Sequence, residues 1–219
     1  MRNTAASGAR GSSSLSIHHK TPYASTASTH TITVCLTATP RIMAAKTEWR
    51  ATTGLATVRV MLIRRETPAD IDAIRTVTNL AFKNGPEALL IDQLREDEGW
   101  IPELSLVENE VLGHVVCTRG YIGDVPALGL GPISVHPEHQ RAGVGSALMH
   151  AVLGAAEARG ERAVILLGSP DYYSRFGFRM AAEFGITPPV AEWEPYFQAR
   201  FFGSVVGGPF RYAEPFNRL

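Results

Sequence analysis

Residues 132–148, Pro-Ile-Ser-Val-His-Pro-Glu-His-Gln-Arg-Ala-Gly-Val-Gly-Ser-Ala-Leu, constrain this chain more than any other stretch. They read as an apolar strand, a turn broken by Pro137, and a glycine-containing turn that opens directly into a helix. From Ser146 to Arg159 the apolar residues Leu148, Val152, Ala155 and Ala156 recur on one face at helical spacing. A helix start leaves several backbone N–H groups without partners, and its dipole concentrates positive charge there. Gly143 and Gly145 lack Cβ atoms, so a bulky anion can come close to that backbone. The combination describes a cradle for phosphate or pyrophosphate.

The kind of cradle follows from what is missing. A dinucleotide fingerprint needs a third glycine three residues after Gly145, where Leu148 stands. A P-loop needs Gly-Lys-Ser/Thr, and this helix start carries no lysine. What remains, Gln140-Arg141-Ala142-Gly143-Val144-Gly145, resembles the Gln/Arg-x-x-Gly-x-Gly/Ala motif of the GNAT superfamily of N-acetyltransferases. Further on, a buried-type strand, Ala163–Gly168, leads into Ser169-Pro170-Asp171-Tyr172-Tyr173-Ser174-Arg175-Phe176-Gly177-Phe178. GNAT enzymes commonly follow this strand with a short helix carrying a tyrosine four residues before Gly-Phe, and Tyr173 has that spacing to Gly177-Phe178. The resemblance covers residues 58–219, and the second block is similar in wording to small bacterial N-acetyltransferases.

The resemblance implies an α+β fold: a single domain with a central, mostly antiparallel sheet, splayed at two parallel strands and flanked by helices. It implies acetyl-CoA as cosubstrate, no metal, and a primary amine on a small molecule or peptide as acceptor, attacked directly in a ternary complex. The pantetheine arm would lie in the splay against the backbone of Ile133, Ser134 and Val135, like an added strand. Backbone N–H groups of Arg141, Ala142, Gly143, Val144, Gly145 and Ser146 would hold the pyrophosphate. A strand N–H near Val135 would polarise the thioester carbonyl. Tyr173 would protonate the departing thiolate, a phenol near ~10 being able to serve a thiol near ~8.5; Tyr172 is the neighbouring candidate. The base is not legible, because residues 127–135 contain no carboxylate where many relatives carry one. A water relay, Ser134 or His114 are the substitutes considered. The missing carboxylate also keeps a second function open, a non-catalytic acyl-CoA-binding regulatory module.

Charge narrows the partners. The net charge of the whole chain is zero, but residues 1–60 carry seven Lys/Arg against one Glu, and 61–219 carry 14 against 20 Asp/Glu. An acidic domain is poorly suited to phosphate-backbone binding, so nucleic acid is not expected as a partner. It suits a cationic amine. No apolar stretch is long enough to anchor in a membrane, and oligomeric state, including a homodimer, is left open. Residues 1–57 lack acidic residues before Glu48 and lack apolar periodicity. They are expected to be a disordered extension, or to precede a true start at Met43 or Met61, with an organelle transit peptide as the third reading. Of the two cysteines, Cys35 falls in that segment and Cys117 in an apolar strand pattern. An internal disulfide within 58–219 is therefore impossible, a reducing cytoplasmic setting is expected, and Cys117 reads as a small core hydrophobe. His136 and His139 flank a turn without further zinc-ligand spacing.

The rest of the path is coarser. A first strand is expected over Val58–Arg65, then Thr67 as N-cap and Pro68 at the first helical position. The helix that follows should place Ile71, Ile74, Thr78 and Ala81 on one face and end near Lys83-Asn84-Gly85. Pro86 should open a second helix through Leu89, Leu90 and Leu94. A hairpin over 104–121 turns at Glu108-Asn109-Glu110, and the strand Ala127–Val135 is weakened at Gly129, Gly131 and Pro132, which suggests a bulge. Past Phe178, strands are expected at Ser204–Val206 and Pro209–Tyr212. The aromatics Trp193, Tyr196, Phe197, Phe201 and Phe202 are expected mainly in the core, with this segment also walling the acceptor pocket.

Overall fold

A computed structural model describes residues 61–218. The expectations for residues 1–57, and the first residues of the strand placed at Val58–Arg65, lie outside the described residues. What is described begins with β1 (Ile63–Arg65), and Thr67 then caps a short 3₁₀ turn, Pro68–Asp70. The Asp70 carboxylate accepts from both the N–H and the hydroxyl of Thr67, at 2.7 and 2.8 Å, and takes two further bonds from Arg64 at 2.7 and 2.8 Å. Those bonds, the Arg64 guanidinium foremost, hold its carboxyl well below the usual range against the opposing effect of burial.

Helix α1 (Ile71–Ala81) buries Ile74, Val77 and Thr78, while Ile71 and Ala81 are half-buried. Lys83 and Asn84 then turn through positive φ, and Pro86 starts α2 (Glu87–Arg95). Leu90 and Leu94 are buried, whereas Leu89 is 62% exposed. It sits one step round the helix from the face that packs on the sheet.

The hairpin β2 (Ser105–Glu108) and β3 (Gly113–Ile122) continues through a tight turn into β4 (Val125–Val135). Helix α3 (Val144–Ala158), β5 (Ala163–Leu167) and the single-turn helix α4 (Pro170–Tyr173) follow. The remaining strands are β6 (Arg179–Met180), β7 (Ile186–Thr187), β8 (Phe197–Phe201) and β9 (Gly208–Arg211). The main sheet runs β1-β2-β3-β4-β5-β8-β6, with β9 beside the far end of β3 and β7 paired to β9. Within the main path, β4 and β5 are the parallel pair. The expected α+β sheet with a parallel pair and flanking helices is therefore present. Ser204–Val206 forms no strand; the strand lies earlier, at Phe197–Phe201, where Phe197, Gln198 and Ala199 are buried between β5 and β6 while Val205 is 55% exposed.

Helix α3 covers one sheet face. Leu148, Met149, Val152 and Ala156 pack with Leu106, Val115, Cys117, Leu128, Val164 and Leu166, none of them more than 6% exposed. A fully buried leucine such as Leu148 contributes roughly 1.5–3 kcal/mol by leaving water. Cys117 is part of this core, and burial pushes its thiol up, away from thiolate character. The opposite face receives α1 and α2 through Ile74, Ile91, Leu90 and Leu94 against Val107 and Val116.

Candidate active site

The bulge expected from Gly131-Pro132 decides which residues reach the site. Between Val115↔Ile133 and Cys117↔Leu130, β4 has one more residue than β3. Leu128 and Leu130 face α3 before the irregularity, and Ile133 and Val135 face it afterward, so the parity of the strand changes. Ser134 is thereby turned to the opposite face, where its hydroxyl lies 3.1 Å from that of Thr78. Pairing between β4 and β5 stops at Leu130↔Leu166. Beyond it, among the described residues, no strand covers the β5-facing edge of residues 131–135, and the two parallel strands part.

The glycine turn sits at the end of that opening. Gly143, at φ 91°, occupies the N-cap of α3; it offers no side-chain cap, and the first turn contains no acidic residue. Helical geometry leaves the first N–H groups, including Val144, Gly145 and Ser146, without intrahelical acceptors, so the positive end of the dipole is open. Gln140 anchors the turn to the strand by donating to the Val135 carbonyl at 3.2 Å. A cavity of about 610 Å³ extends from here along β4, walled by Ile133, Val135, Gly143, Gly145 and Ser146, with Arg141 and Arg175 supplying positive charge. Ser134, Ala142 and Val144 do not line it with side chains; Val144 is in the core beneath the helix start. A role for those three is confined to the backbone groups through which it was expected. Arg175 was missed by the sequence reading. It donates to the Tyr172 carbonyl at 2.9 Å and stacks on that ring at 4.7 Å.

A second cavity of about 370 Å³ adjoins the first, sharing Phe82 and Ile133 as walls. Leu130, Gly131 and Pro132 form its strand side, Tyr173 and Leu167 its β5 side, and Trp193, Tyr212 and Phe216 the far side. Tyr173 reaches it because α4 starts immediately after β5: Ser169 is the N-cap and Pro170 the first helical residue. The ring lies over Gly168, where a Cβ would come within 2.2 Å of Cε2, so only glycine permits this packing. Gly168 is itself held by its N–H to Tyr196 O at 2.9 Å and by Gln198 Nε2 to its carbonyl at 2.8 Å. Burial, with Tyr172 adding to it, pushes the Tyr173 phenol up to about 12, so it carries its proton at neutral pH.

The proposed substitutes for a base are elsewhere. His114 is fully buried on the α1 side of the sheet, beside Ser105 and Glu66. Ser105 donates to Glu66 at 2.5 Å, so its oxygen accepts from His114 Nε2 at 2.8 Å, leaving Nδ1 with no donor among the described residues. Neither His114 nor Ser134 lines either cavity. The carboxylate that does line the second cavity is Glu87, from the first turn of α2. The sequence reading did not single it out. The 136–139 turn brings donor atoms of His136, Glu138 and His139 within 4.8 Å of one another, closer than their spacing suggested. His136 Nδ1 there accepts the Glu138 N–H at 3.3 Å.

The acetyltransferase (GNAT) domain family model matches residues 62–181. The chain belongs to the GNAT acetyltransferase family. By that membership it is an acyltransferase. The uncharacterized N-acetyltransferase YhbS of Escherichia coli K12 is 32% identical over 169 residues, which span 73% of this chain and all of YhbS. The crystal structure of E. coli YhbS in complex with CoA superposes with a TM-score of 0.71 at 29% identity, covering 76% of this chain and 97% of that one. A GNAT acetyltransferase from Brucella melitensis in complex with acetyl-CoA gives 0.61 at 35% identity, covering 72% and 98%. Among the described residues of this GNAT chain, no helix is long and apolar enough to cross a membrane.

Proposed function

We propose that this protein transfers the acetyl group of acetyl-CoA to a primary amine by direct attack within a ternary complex. One observation carries the reading: two cavities meet across Ile133 and Phe82 where β4 and β5 part, one ending on an uncapped helix start and the other on a buried tyrosine. The CoA and acetyl-CoA complexes of the two relatives support acetyl-CoA as the ligand. In this reading the pyrophosphate rests on the N–H groups from Arg141 to Ser146, beside Arg175. The pantetheine pairs with the free edge of β4 at Ile133–Val135, which brings the thioester to the junction of the cavities.

The acceptor enters the second cavity. Its neutral nitrogen attacks the thioester carbon, a β4 N–H near Val135 stabilises the oxyanion, and the Tyr173 hydroxyl protonates the thiolate as the C–S bond breaks. The reading requires a compartment that supplies acetyl-CoA, and the cytoplasm meets that need. The test is release of free thiol from acetyl-CoA on addition of individual primary amines. Acetyl-CoA binding without thiol release from any amine would favour the regulatory-module alternative instead.

A further inference from the structure

The second cavity holds a single charged side chain among the described residues, Glu87, set against Trp193, Tyr212, Phe216 and Phe82. Its Oε2 is buried and takes no hydrogen bond, and no cation pairs with the carboxylate among the described residues. The carboxyl is folded back over Gly85, where a Cβ would stand 2.2 Å from Oε2 and 3.2 Å from Cδ. Gly85 therefore makes room for this conformation. One oxygen of this half-buried carboxylate has lost water without gaining a donor among the described residues, and the cavity it lines is otherwise apolar and aromatic, which costs free energy. An ammonium ion relieves that cost, and aromatic faces add cation–π attraction to the same guest.

We infer that Glu87 receives the amino group of the acceptor, and that the acceptor is a cationic primary amine on a compact apolar or aromatic body with no carboxylate beside the amine. This deepens the acetyl-transfer reading and rests on it for the chemical step. The amine arrives as the ammonium ion and yields one proton to solvent. As its nitrogen bonds to the thioester carbon, its second excess proton passes to the Glu87 carboxylate. The C–S bonding pair leaves on sulfur, and thiolate takes the Tyr173 proton. The products are amide and CoA thiol; Glu87 and Tyr173 then return to their starting states by net transfer of one proton through solvent. A carboxylate next to the amine, as in an α-amino acid, would face Glu87 and be repelled.

The experiment uses the full chain with 2-phenylethylamine and phenylalanine, which share an aromatic body and differ by that carboxylate. Calorimetry in the presence of CoA reads binding, and thiol release from acetyl-CoA reads transfer. Wild type should bind phenylethylamine at least tenfold more tightly than phenylalanine. Glu87→Gln should remove most of that preference and lower kcat/KM for phenylethylamine by about 10²-fold or more, with acetyl-CoA affinity within twofold of wild type. Gly85→Ala, which displaces the carboxyl without removing it, should weaken phenylethylamine in the same direction and serves if Glu87→Gln is poorly folded. Absence of phenylethylamine binding to wild type, or retention of wild-type binding preference and kcat/KM in both variants, overturns the assignment. Glu87-dependent binding without thiol release would instead uphold the amine site and overturn acetyl transfer.

Discussion

Tyr172 and Tyr173, adjacent in the one-turn helix α4, set their rings almost perpendicular, 88° at 4.9 Å between centroids, and line different cavities. Tyr172 faces the helix-start cavity, its hydroxyl within hydrogen-bonding reach of Ser146 and 2.8 Å from where a Cβ on Gly145 would lie. Tyr173 faces the Glu87 cavity. A doubled tyrosine that leaves the register ambiguous in sequence is thus divided by a helical step of about 100°.

Tyr173→Phe should lower kcat by about 10²–10⁴-fold with little change in acetyl-CoA affinity, because the lost proton donation belongs to the transition state. Tyr172→Phe should act the other way, shifting acetyl-CoA affinity modestly and leaving the rate of the chemical step near wild type. Steady-state thiol release paired with calorimetry separates the two. Full activity in Tyr173→Phe with chemistry rate-limiting would mean that thiolate leaves without a tyrosine acid.

The helix-start cradle is tested at Gly145 with a pair of substitutions. Gly145→Ala displaces the Tyr172 hydroxyl but adds no charge, whereas Gly145→Glu also places a carboxylate where the pyrophosphate is proposed to sit. Alanine should weaken acetyl-CoA binding only mildly. Glutamate should weaken it by about 10²-fold or more while the circular dichroism spectrum stays native. Equal affinities for the two variants would move the anion elsewhere.

What could be read from sequence was local. The strand–turn–helix at 132–148 was legible because prolines, glycines and helical periodicity all act within a few residues, and the bulge at Gly131-Pro132 followed from the same chemistry. Its consequence, the parity change that aims Ile133 and Val135 one way and Ser134 the other, required the β3 register. Glu87 was invisible because it reaches the cavity from a separate helix, and its first-turn position has an ordinary explanation in the helix dipole. The error at Ser204–Val206 came from β-propensity: two valines outweighed Phe197–Phe201, whose strand is fixed by burial between β5 and β6.

Arg175 gives a prediction in salt. It is exposed, stacks on Tyr172 and lines the helix-start cavity. Arg175→Ala should reduce acetyl-CoA affinity by about 3–10-fold at low ionic strength, and the difference from wild type should shrink in 0.5 M salt as screening shortens to a few ångströms. A salt-independent loss would point to the stacking contact rather than the charge.

His114 sets the pH dependence of stability. Burial holds its imidazole below its ordinary value of 6.5, outweighing the neighbouring Glu66 carboxylate that draws it up. The unfolded chain therefore takes up a proton near pH 6.5 that the folded chain refuses, and stability falls as pH drops through 6.5 until the folded group itself titrates. The limiting slope is about 1.4 kcal/mol per pH unit for one such group. Glu66 acts in a lower window. Burial raises its carboxyl, but hydrogen bonds from His114, Arg95 and Ser105 together bring it from 4.5 to about 2, so its contribution is intact above 4.5 and lost as pH falls toward 2. His114→Gln keeps a donor for Ser105 and cannot titrate. Thermal melts from pH 7.5 to 5 should show a smaller decline in Tm for this variant than for wild type, by a few degrees. The exposed or half-exposed His136, His139 and His150 are common to both chains and cancel in that difference. Parallel melting curves would mean that His114 binds its proton equally well in the folded and unfolded chains.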